Sequence, residues 1–341
     1  MWTWSGAELE RLGHFLAERD LCRPTVTVEA IGDGHSNLTF SVSDGQSRVV
    51  VRRPPPPPLP TGAHDVLREA WLLRALSQTR VPAPRVLATV AAGELLDVPI
   101  VVMEFVDGTV ITESTPAARN DTRLRRRIGE SLVDTLAALH SVAWREVGLS
   151  DFGRPDGFNA RQLRRMRSLV AVDGVVPRAF APLDDWLHAH VPAQSATSVV
   201  HNDFRIGNMI VDIRTGCVAA VLDWELATIG DPLADMGYLF ASYPVQGEPL
   251  VPTSAMGTAV LEPGYPGRAE LLDRYAERTG ADVSRVNWYA TLAMYKLAAL
   301  YEYSRRRFED GVGDPYYADP GLVSSFLAAG ERLAAEDPAL T

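Results

Sequence analysis

The apolar residues in the first third of the chain follow the pattern of β-strands. Short runs rich in β-branched side chains occupy residues 26–31, 38–42, 48–53 and 100–105. Consecutive prolines at 54–58 end the third run, because proline lacks the N–H that the middle of a sheet requires. Apolar residues at helical spacing then predict one helix over residues 63–77. We therefore expect a small antiparallel β lobe with one main helix.

Beyond residue 106, most apolar residues have the spacing of amphipathic helices. Helices are expected at residues 124–141, 178–190, 268–279, 284–304 and 320–335. Two apolar runs at 210–213 and 218–222 are strand-like instead, and the polar residues between them predict a hairpin. Residues 243–267, rich in proline and glycine, predict either a lid or a mobile loop. The pattern indicates an α+β fold with a domain over residues 1–106 and a larger, mostly helical domain over 107–341.

One segment combines the chemical groups that phosphoryl transfer requires. It begins at His201, places a carboxylate at Asp203 and places an amide five residues later at Asn208. A second carboxylate, Asp223, follows at the end of the predicted hairpin. A carboxylate can orient and deprotonate an attacking hydroxyl, while an amide oxygen and another carboxylate hold magnesium ions. We interpret Asp203 as the catalytic base and Asn208 and Asp223 as ligands of Mg²⁺; ordinary loop residues in Asx turns are the alternative.

A glycine-containing loop separates the first two predicted strands. Its sequence is Gly32-Asp33-Gly34-His35-Ser36-Asn37. Glycines and small polar residues allow backbone amides to approach phosphate oxygens closely. The candidate nucleotide contacts in this loop are Gly32, Gly34, His35, Ser36 and Asn37. A plain hairpin turn without a ligand is the alternative.

Nucleotide phosphates also require a cation, and lysine is scarce in this chain. Lys296 is the only lysine, and it lies far from the predicted strands. The third strand offers Arg52 and Arg53, which point to opposite faces because side chains alternate along a strand. In phosphoryl-transfer enzymes such a cation pairs with a helical glutamate, which is Glu69 in this sequence. We favour Arg52, since Arg53 adjoins the prolines; a surface ion pair is the alternative.

The end of the fourth predicted strand is a candidate site for the nucleobase. This apolar run ends at Phe105, and Asp107-Gly108 follows it directly. The backbone between Glu104 and Val106 can form hydrogen bonds with the edge of an adenine, so both residues are candidate nucleotide contacts. A buried strand followed by a turn without a ligand is the alternative.

Composition and charge narrow the class of protein. The 341 residues include 33 basic and 43 acidic side chains, and the net charge of −10 argues against a general nucleic-acid binder. No apolar run approaches the roughly 18 residues of a membrane span, and Met1-Trp2-Thr3-Trp4 lacks the pattern of a signal peptide. Two cysteines in unrelated segments, Cys22 and Cys217, favour free buried thiols in a reducing compartment. We expect a cytoplasmic enzyme without membrane or nucleic-acid partners.

Four segments carry a resemblance to the aminoglycoside phosphotransferase and choline kinase superfamily, which has a protein-kinase-like fold. They are Gly32 to Asn37, Val51-Arg52-Arg53-Pro54-Pro55, His201 to Asn208, and Leu222-Asp223-Trp224-Glu225 continuing to Gly230-Asp231-Pro232-Leu233-Ala234-Asp235. Within the superfamily, the chain most resembles the phosphotransferase domains found alone in bacteria or fused to acyl-CoA dehydrogenases. The resemblance implies a bilobal fold over the whole chain, Asp203 as catalytic base, Asn208 and Asp223 as magnesium ligands, and ATP or GTP as donor.

Two positions depart from the pattern of the superfamily. Asn202 stands where a glycine usually follows the motif histidine, and arginine replaces the nucleotide-binding lysine of many kinases. The resemblance implies phosphorylation of a hydroxyl group on a small molecule, such as a hydroxyacyl-CoA or a related metabolite. An aminoglycoside kinase and a nucleotide-binding pseudokinase with a regulatory role are the alternatives.

Clusters of arginine in the second domain are candidate contacts for an acceptor that carries phosphates. They are Arg161, Arg164, Arg165 and Arg167, with Arg305 to Arg307. Arginine matches phosphate geometry, so these side chains suit the phosphates of coenzyme A. Solvated helix faces are the alternative.

Overall fold

The computed structural model describes residues 4–32, 37–55, 64–116 and 121–337. The chain divides into two compact units. The first comprises Met1–Asp107 with Ala219–Glu225, and the second comprises Gly108–Val218 with Leu226–Thr341.

An antiparallel five-stranded sheet forms the centre of the first unit. Its strands are β1 (Thr27–Ala30), β2 (Leu38–Ser43), β3 (Arg48–Arg53), β4 (Val86–Val90) and β5 (Ile100–Glu104). They lie in the order β1-β2-β3-β5-β4. The alternation of β-branched residues predicts all of them except β4. In the middle of the sheet, Arg52 is paired with Thr39 on β2 and with Val101 on β5.

The pleat of β3 decides which of its two arginines faces the core. Val49, Val51 and Arg53 are buried, whereas Val50 and Arg52 are only half-buried. Arg53 is 2% exposed, and its Nε donates to the carbonyl of Pro54 at 3.2 Å. The two arginines therefore lie on opposite faces, as strand alternation predicts.

Two helices complete the first unit. Helix α1 (Gly6–Ala17) begins with a capping box between Ser5 and Glu8, and it buries Leu12 and Leu16 in the core of the sheet. It is not among the predicted helices. Helix α2 (Val66–Leu76) confirms the helix predicted at residues 63–77.

The second unit is mostly helical. Its helices are α3 (Thr122–His140), α4 (Phe158–Val170), α5 (Ala181–Ala189), α6 (Leu233–Ser242), α7 (Pro252–Ala255), α8 (Arg268–Thr279), α9 (Val286–Glu309) and α10 (Pro320–Ala335). The long helix α9 packs against α4, α5, α6 and α10. The predicted helices correspond to α3, α5, α8, α9 and α10. Helix α6 escapes the helical pattern because it is buried almost all round, so its apolar residues show no single face.

Short strands carry the loop with the phosphoryl-transfer motif. They are β6 (Thr109–Val110), β7 (Ser198–Val200), β8 (Met209–Asp212), β9 (Cys217–Val221) and β10 (Thr228–Gly230). Strand β7 pairs with β10, and the order of the other three is β6-β8-β9. The predicted hairpin is confirmed between β8 and β9, where Gly216 N–H donates to the carbonyl of Asp212 at 2.8 Å.

Cys22 is buried, but Cys217 is exposed beside this polar turn, so the expectation that both thiols are buried is wrong for Cys217.

The segment 243–267 is fastened to the rest of the second unit. Glu262 accepts a hydrogen bond from Thr115 N–H at 3.0 Å and forms an ion pair with Arg125 of α3 at 2.7 Å. The hydroxyl of Tyr265 lies 2.9 Å from that of Thr115. These contacts anchor the C-terminal part of the segment to α3 and to Thr115.

Within the described ranges, none of the helices combines the length and the apolar character that crossing a membrane requires.

Candidate active site

The carboxylate of Asp203 is held by side chains from two segments of the second unit. Asn208 Nδ2 donates to Asp203 Oδ2 at 2.7 Å. The phenol of Tyr238 on α6 donates to Asp203 Oδ1, and Arg205 Nε lies 3.5 Å from the same oxygen. Burial, followed by the charge of Asp203, raises the pKa of Tyr238 well above its ordinary value, so this phenol stays protonated and remains a donor.

Asn208 lies in a 3₁₀ turn, Ile206–Asn208, that brings its side chain back towards Asp203. Its Nδ2 also donates to the backbone carbonyl of Asp203 at 2.8 Å. Because both neighbours are acceptors, the amide must present its nitrogen to them. The side-chain oxygen Asn208 Oδ1 forms no hydrogen bond within the described part of the chain. This oxygen is therefore available to bind a metal ion.

Asp235 of α6 fixes the backbone of the loop that precedes Asp203. Its carboxylate accepts from His201 N–H at 2.6 Å and from Asn202 N–H at 2.7 Å. His140 Nε2 lies 3.2 Å from the same carboxylate. Burial alone would raise the pKa of Asp235, but the hydrogen bond and charge of His140 outweigh it and lower the pKa. Asp235 therefore braces the loop as a charged acceptor.

His201 packs inside the loop and supports its backbone. Its ring is fully buried, stacks edge-on against Phe204, and accepts Asp203 N–H at 3.2 Å through Nδ1. Asp231 has a similar structural role near the start of α6, where it accepts from Ser195 N–H and from the phenol of Tyr289. Asp231 also accepts from Leu233 N–H at 3.1 Å, so the two residues brace the loop and cap the start of α6.

Asn202 adopts a backbone conformation that most residues avoid. Its φ of 66° lies in the left-handed region, which explains why a glycine is usual at this position. The side chain forms two hydrogen bonds: Nδ2 donates to the carbonyl of Leu226 at 3.0 Å, and Oδ1 accepts from Lys296 Nζ of α9 at 3.1 Å. Sequence spacing gives no sign of Lys296 in this role, because it lies 94 residues further along the chain.

In the first unit, Arg52 lies among three carboxylates. Its guanidinium is 3.2 Å from Glu69 of α2, 2.8 Å from Asp223 and 3.9 Å from Glu225. Burial alone would lower the pKa of Arg52, but the charges of Glu69 and Asp223 raise it overall. The buried Arg53 lies on the opposite face of β3, so Arg52 is the arginine that the fold brings to Glu69.

The carboxylates of this cluster outnumber its cation, but among the described residues no group of three His, Cys, Asp or Glu side chains is arranged to hold a metal ion by itself. Burial is the largest influence on Glu69 and raises its pKa to about 7, against the opposing charge of Arg52. Asp223 is partly exposed, with φ at 66°. Arg52 contacts only Oδ1 of Asp223, so Oδ2 has no hydrogen bond within the described residues. A partly exposed carboxylate oxygen of this kind suits Mg²⁺, which binds through one or two carboxylates together with phosphate oxygens.

The structure describes only part of the glycine loop. Gly32 is exposed at φ 85°, a conformation that favours glycine. Asn37 is buried, and its Nδ2 donates to Glu225 at 3.1 Å. The other three candidates, Gly34, His35 and Ser36, lie outside the described residues.

The two nucleobase candidates differ in how much of their backbone is occupied. Glu104 N–H already donates to the carbonyl of Arg85 at 2.9 Å, and the Glu104 carboxylate also contacts Arg85. Val106 is half-buried and makes no backbone–backbone hydrogen bond within the described residues. Its N–H and C=O are therefore the better placed groups for a nucleobase edge.

Most of the arginines proposed for an acceptor are bound within the second unit. Arg167 forms an ion pair with Asp184 at 3.2 Å, and Arg161 donates to the carbonyls of Arg154 and Asp156. Arg305 and Arg306 both pair with Glu302. Arg307 lies over the ring of Tyr303. Arg164 and Arg165 are exposed, and their side chains form no hydrogen bond or ion pair within the described ranges. Only this pair remains available as a cluster for an anionic ligand.

The structure thus assembles two groups of the predicted residues. Asp203 and Asn208 meet in the second unit, and Arg52, Glu69 and Asp223 meet in the first. Sequence reasoning misses Tyr238, Glu225 and Lys296. The spacing of three residues from Asp235 places Tyr238 on the same face of α6, but this becomes apparent only once the helix is known.

Comparisons with known proteins agree with this chemistry. A model of the phosphotransferase enzyme family matches residues 27–286. Acyl-CoA dehydrogenase family member 11 of Rattus norvegicus is 30% identical over 319 residues, which cover 91% of this chain and 40% of that protein. Acyl-CoA dehydrogenase family member 10 of Mus musculus is 29% identical over 272 residues, which cover 79% of this chain and 25% of that protein. The chain therefore spans less than half the length of these relatives.

Solved structures confirm the predicted kinase-like α+β fold. A Ralstonia eutropha protein assigned as an aminoglycoside phosphotransferase has a TM-score of 0.78 and 27% identity, with 96% of this chain and 98% of that chain covered. Choline kinase from Cryptosporidium parvum has a TM-score of 0.63 and 12% identity, with 95% and 96% covered. An aminoglycoside phosphotransferase crystallised with AMP-PNP and hygromycin B has a TM-score of 0.60 and 17% identity, with 95% and 99% covered. The last two likenesses show the fold alone.

Proposed function

The chain belongs to the phosphotransferase enzyme family, and on that premise we propose that it transfers the γ-phosphoryl group of ATP or GTP to a hydroxyl group of a small molecule. The observation that carries the proposal is the setting of Asp203. Its carboxylate is oriented by Asn208 and Tyr238, and the loop beneath it is fixed by Asp235. A carboxylate held in this way suits a group that must meet a hydroxyl in a defined geometry.

Asp203 accepts the proton of the acceptor hydroxyl while the oxygen of that hydroxyl attacks the γ-phosphorus. The bond between that phosphorus and the oxygen bridging to the β-phosphate breaks, and the nucleoside diphosphate leaves with this electron pair. The phenol of Tyr238 donates to one oxygen of Asp203 and so fixes the direction from which the proton arrives.

Groups of the first unit bind the nucleotide. Arg52 contacts the α- and β-phosphates, and Glu69 orients its guanidinium. Gly32, Asn37 and the backbone of Val106 are further nucleotide contacts, with Gly34, His35, Ser36 and Glu104 as the remaining candidates. Asn208 and Asp223 are the residues that would hold Mg²⁺, and the bound ion would supply positive charge to neutralise the phosphates.

A non-antibiotic acceptor is favoured over an aminoglycoside. The exposed guanidinium groups of Arg164 and Arg165 have no carboxylate partner within the described residues, and they would repel a polycation. An acceptor with anionic groups, such as a hydroxyacyl-CoA, gains from the same two side chains. The names of the relatives, which refer to acyl-CoA dehydrogenases, also support an acyl-CoA acceptor.

Catalysis is favoured over a regulatory pseudokinase, because the candidate base and both candidate metal ligands are present in the sequence. A cytoplasmic location is part of the proposal, since nucleotide donors and acyl-CoA acceptors occur there.

The test is transfer of radiolabelled phosphate from ATP or GTP, with magnesium, to three acceptors under identical conditions. They are a hydroxyacyl-CoA, the corresponding free hydroxy acid and an aminoglycoside. We expect transfer to the thioester to be fastest. Asp203→Asn should lower turnover by about 10²- to 10⁴-fold, as loss of a positioned acid–base group does, while nucleotide binding survives.

Asp273→Asn is the matched control, because Asp273 is an exposed residue of α8. Near-normal turnover in Asp203→Asn would contradict the proposed base. Preference for the aminoglycoside would contradict the proposed acceptor and leave phosphoryl transfer intact.

A further inference from the structure

The only lysine of the chain is bound to a neutral amide. Lys296 lies on α9, and its ammonium donates to Asn202 Oδ1 at 3.1 Å. Within the described residues this is the only hydrogen bond of the ammonium, and no carboxylate lies within ion-pair distance. A half-buried ammonium usually pairs with a carboxylate, because removing a charge from water costs free energy. The position of Lys296 therefore calls for a role other than a simple ion pair.

Asn202 turns this contact into a link between separate segments. Its Oδ1 accepts from α9, its Nδ2 donates to the carbonyl of Leu226, and its backbone N–H donates to Asp235 of α6. The left-handed conformation of a residue other than glycine costs roughly 1 kcal/mol, which these hydrogen bonds offset. Asn202 directly precedes Asp203, so any motion of this residue is transmitted to the carboxylate.

We propose that Lys296 is a positioning residue that acts through Asn202 to hold the loop of residues 201–208 and so keeps Asp203 in its reactive orientation. The inference rests on the proposed function and adds to it a residue on α9. Glycine at position 202 would have no side chain to receive the ammonium, so the link depends on the substitution that sets this chain apart from the pattern of the superfamily.

The charge of the ammonium makes the link sensitive to pH. The charged groups that face Lys296 are Asp235 from α6, Arg165 from α4 and Asp203 from the loop. Burial, despite the opposing charge of Asp235, lowers the pKa of Lys296 to about 8. Above this pH the charge-assisted hydrogen bond to Asn202 becomes an ordinary one and weakens.

The contribution of Lys296 to the free energy of unfolding changes with pH in the direction opposite to the expected change in turnover. The pKa in the folded protein lies below the ordinary value of 10.5. Between the two values the unfolded chain binds more protons, so the contribution of Lys296 to stability increases as pH rises. A fall in turnover above pH 8 without a fall in unfolding temperature would therefore report loss of positioning and not unfolding at this site.

The first measurement is magnesium-dependent ATP hydrolysis, with water as acceptor, by Lys296→Met and Lys296→Arg. We expect Lys296→Met to lower kcat by about tenfold to a hundredfold, the scale of a misplaced catalytic group, with little change in KM for ATP. Lys296→Arg should recover most of kcat and should keep it at alkaline pH, because arginine does not lose its proton there. Arg332→Met is the control, since Arg332 is an exposed cation of α10 that donates to Ala328 of its own helix.

The second measurement tests the path through Asn202. In an Asn202→Gly background, Lys296→Met should have no further effect on kcat, because the amide that receives the ammonium is gone. A full effect in that background, or a kcat within twofold of wild type for Lys296→Met alone, would overturn the proposal.

Amide hydrogen exchange separates this inference from the proposed function. Backbone amides of residues 201–208 should exchange faster in Lys296→Met than in the wild type and in Arg332→Met. If the wild type shows no ATP turnover that depends on Asp203, the proposed function fails, and faster exchange would still support the link. Unchanged exchange in the loop would overturn it.

Discussion

At the scale of single residues, the two arginines at the end of β3 are neighbours in sequence but have different surroundings. One lies beside the carboxylates of the candidate site, and the other is buried in the core. Arg52 lies 3.2 Å from Glu69 and 2.8 Å from Asp223, whereas Arg53 is 2% exposed in the core. The chemistry of the side chains is the same, so their surroundings alone distinguish them.

We expect Arg52→Ala to raise KM for ATP and lower kcat. Loss of a charged hydrogen bond costs about 1.5–3 kcal/mol, which corresponds to about tenfold to a hundredfold in KM. Arg53→Ala should change the kinetic constants less and lower the unfolding temperature more, because it removes a buried side chain. Steady-state kinetics at saturating magnesium, together with thermal unfolding of both variants, measures the difference. A larger increase of KM in Arg53→Ala would move the phosphate contact to Arg53.

Tyr238 shows how a residue outside a motif completes it. Its phenol donates to Asp203, and burial raises its pKa so that it stays a donor. The motif supplies Asn208 on the other side of the same carboxylate. The orientation of Asp203 thus depends on a loop and on a helix at once.

At the scale of elements, helix α6 connects the catalytic loop to the core of the second unit. It carries Asp235 and Tyr238, which both hold the loop, and it packs against α9. The close approach of the two helices requires a glycine at position 237, where an added Cβ would lie 2.4 Å from the Cβ of Tyr289 and 2.6 Å from its backbone carbon.

We expect Gly237→Ala to destabilise the protein. The new methyl group meets the backbone of α9, which cannot move aside as a flexible side chain can, so overpacking should cost about 1–3 kcal/mol or more. Displacement of α6 should also lower kcat, because Asp235 and Tyr238 would shift. Denaturant unfolding and ATP turnover measure the two effects.

Gly6→Ala is the matched control for this substitution. No atom lies within 4 Å of a Cβ added at Gly6, and its φ is not in the left-handed region. Alanine there should leave turnover unchanged and raise stability by about 0.4–1 kcal/mol, since it restricts the unfolded chain. Equal stability losses in both variants would refute the packing argument.

At the scale of the whole molecule, ligand binding should appear in global stability. A ligand that binds only the folded protein stabilises it by about 2.7 kcal/mol at one hundred times its Kd. We expect ATP with magnesium to raise the unfolding temperature well above the effect of ATP alone. Asp223→Ala should remove the part that depends on magnesium, because it removes a proposed metal ligand. Thermal unfolding with and without magnesium measures this.

Asp273→Ala provides the comparison, since this exposed residue of α8 has no proposed role. It should retain the full response to magnesium. If ATP stabilises the wild-type protein equally with and without magnesium, the assignment of Asp223 as a ligand is wrong.

The sequence by itself determined the local features of this protein. Asp203 and Asn208 lie five residues apart, so a single loop can bring them together. The hairpin of β8 and β9 and the opposite directions of Arg52 and Arg53 are also local, because strand alternation and turn residues act over a few positions. Periodicity identified most of the helices with one apolar face for the same reason, although it missed α1 and α4.

Only the tertiary structure decided which distant side chains support these local features. Lys296 reaches Asn202 across 94 residues, and Tyr238 reaches Asp203 across 35. Helix α6 carries no readable pattern, because burial on nearly all sides leaves no polar face. The pattern of apolar and polar residues along a helix or strand indicates which face of that element is buried. Contacts between elements arise from packing, which no single stretch of sequence encodes.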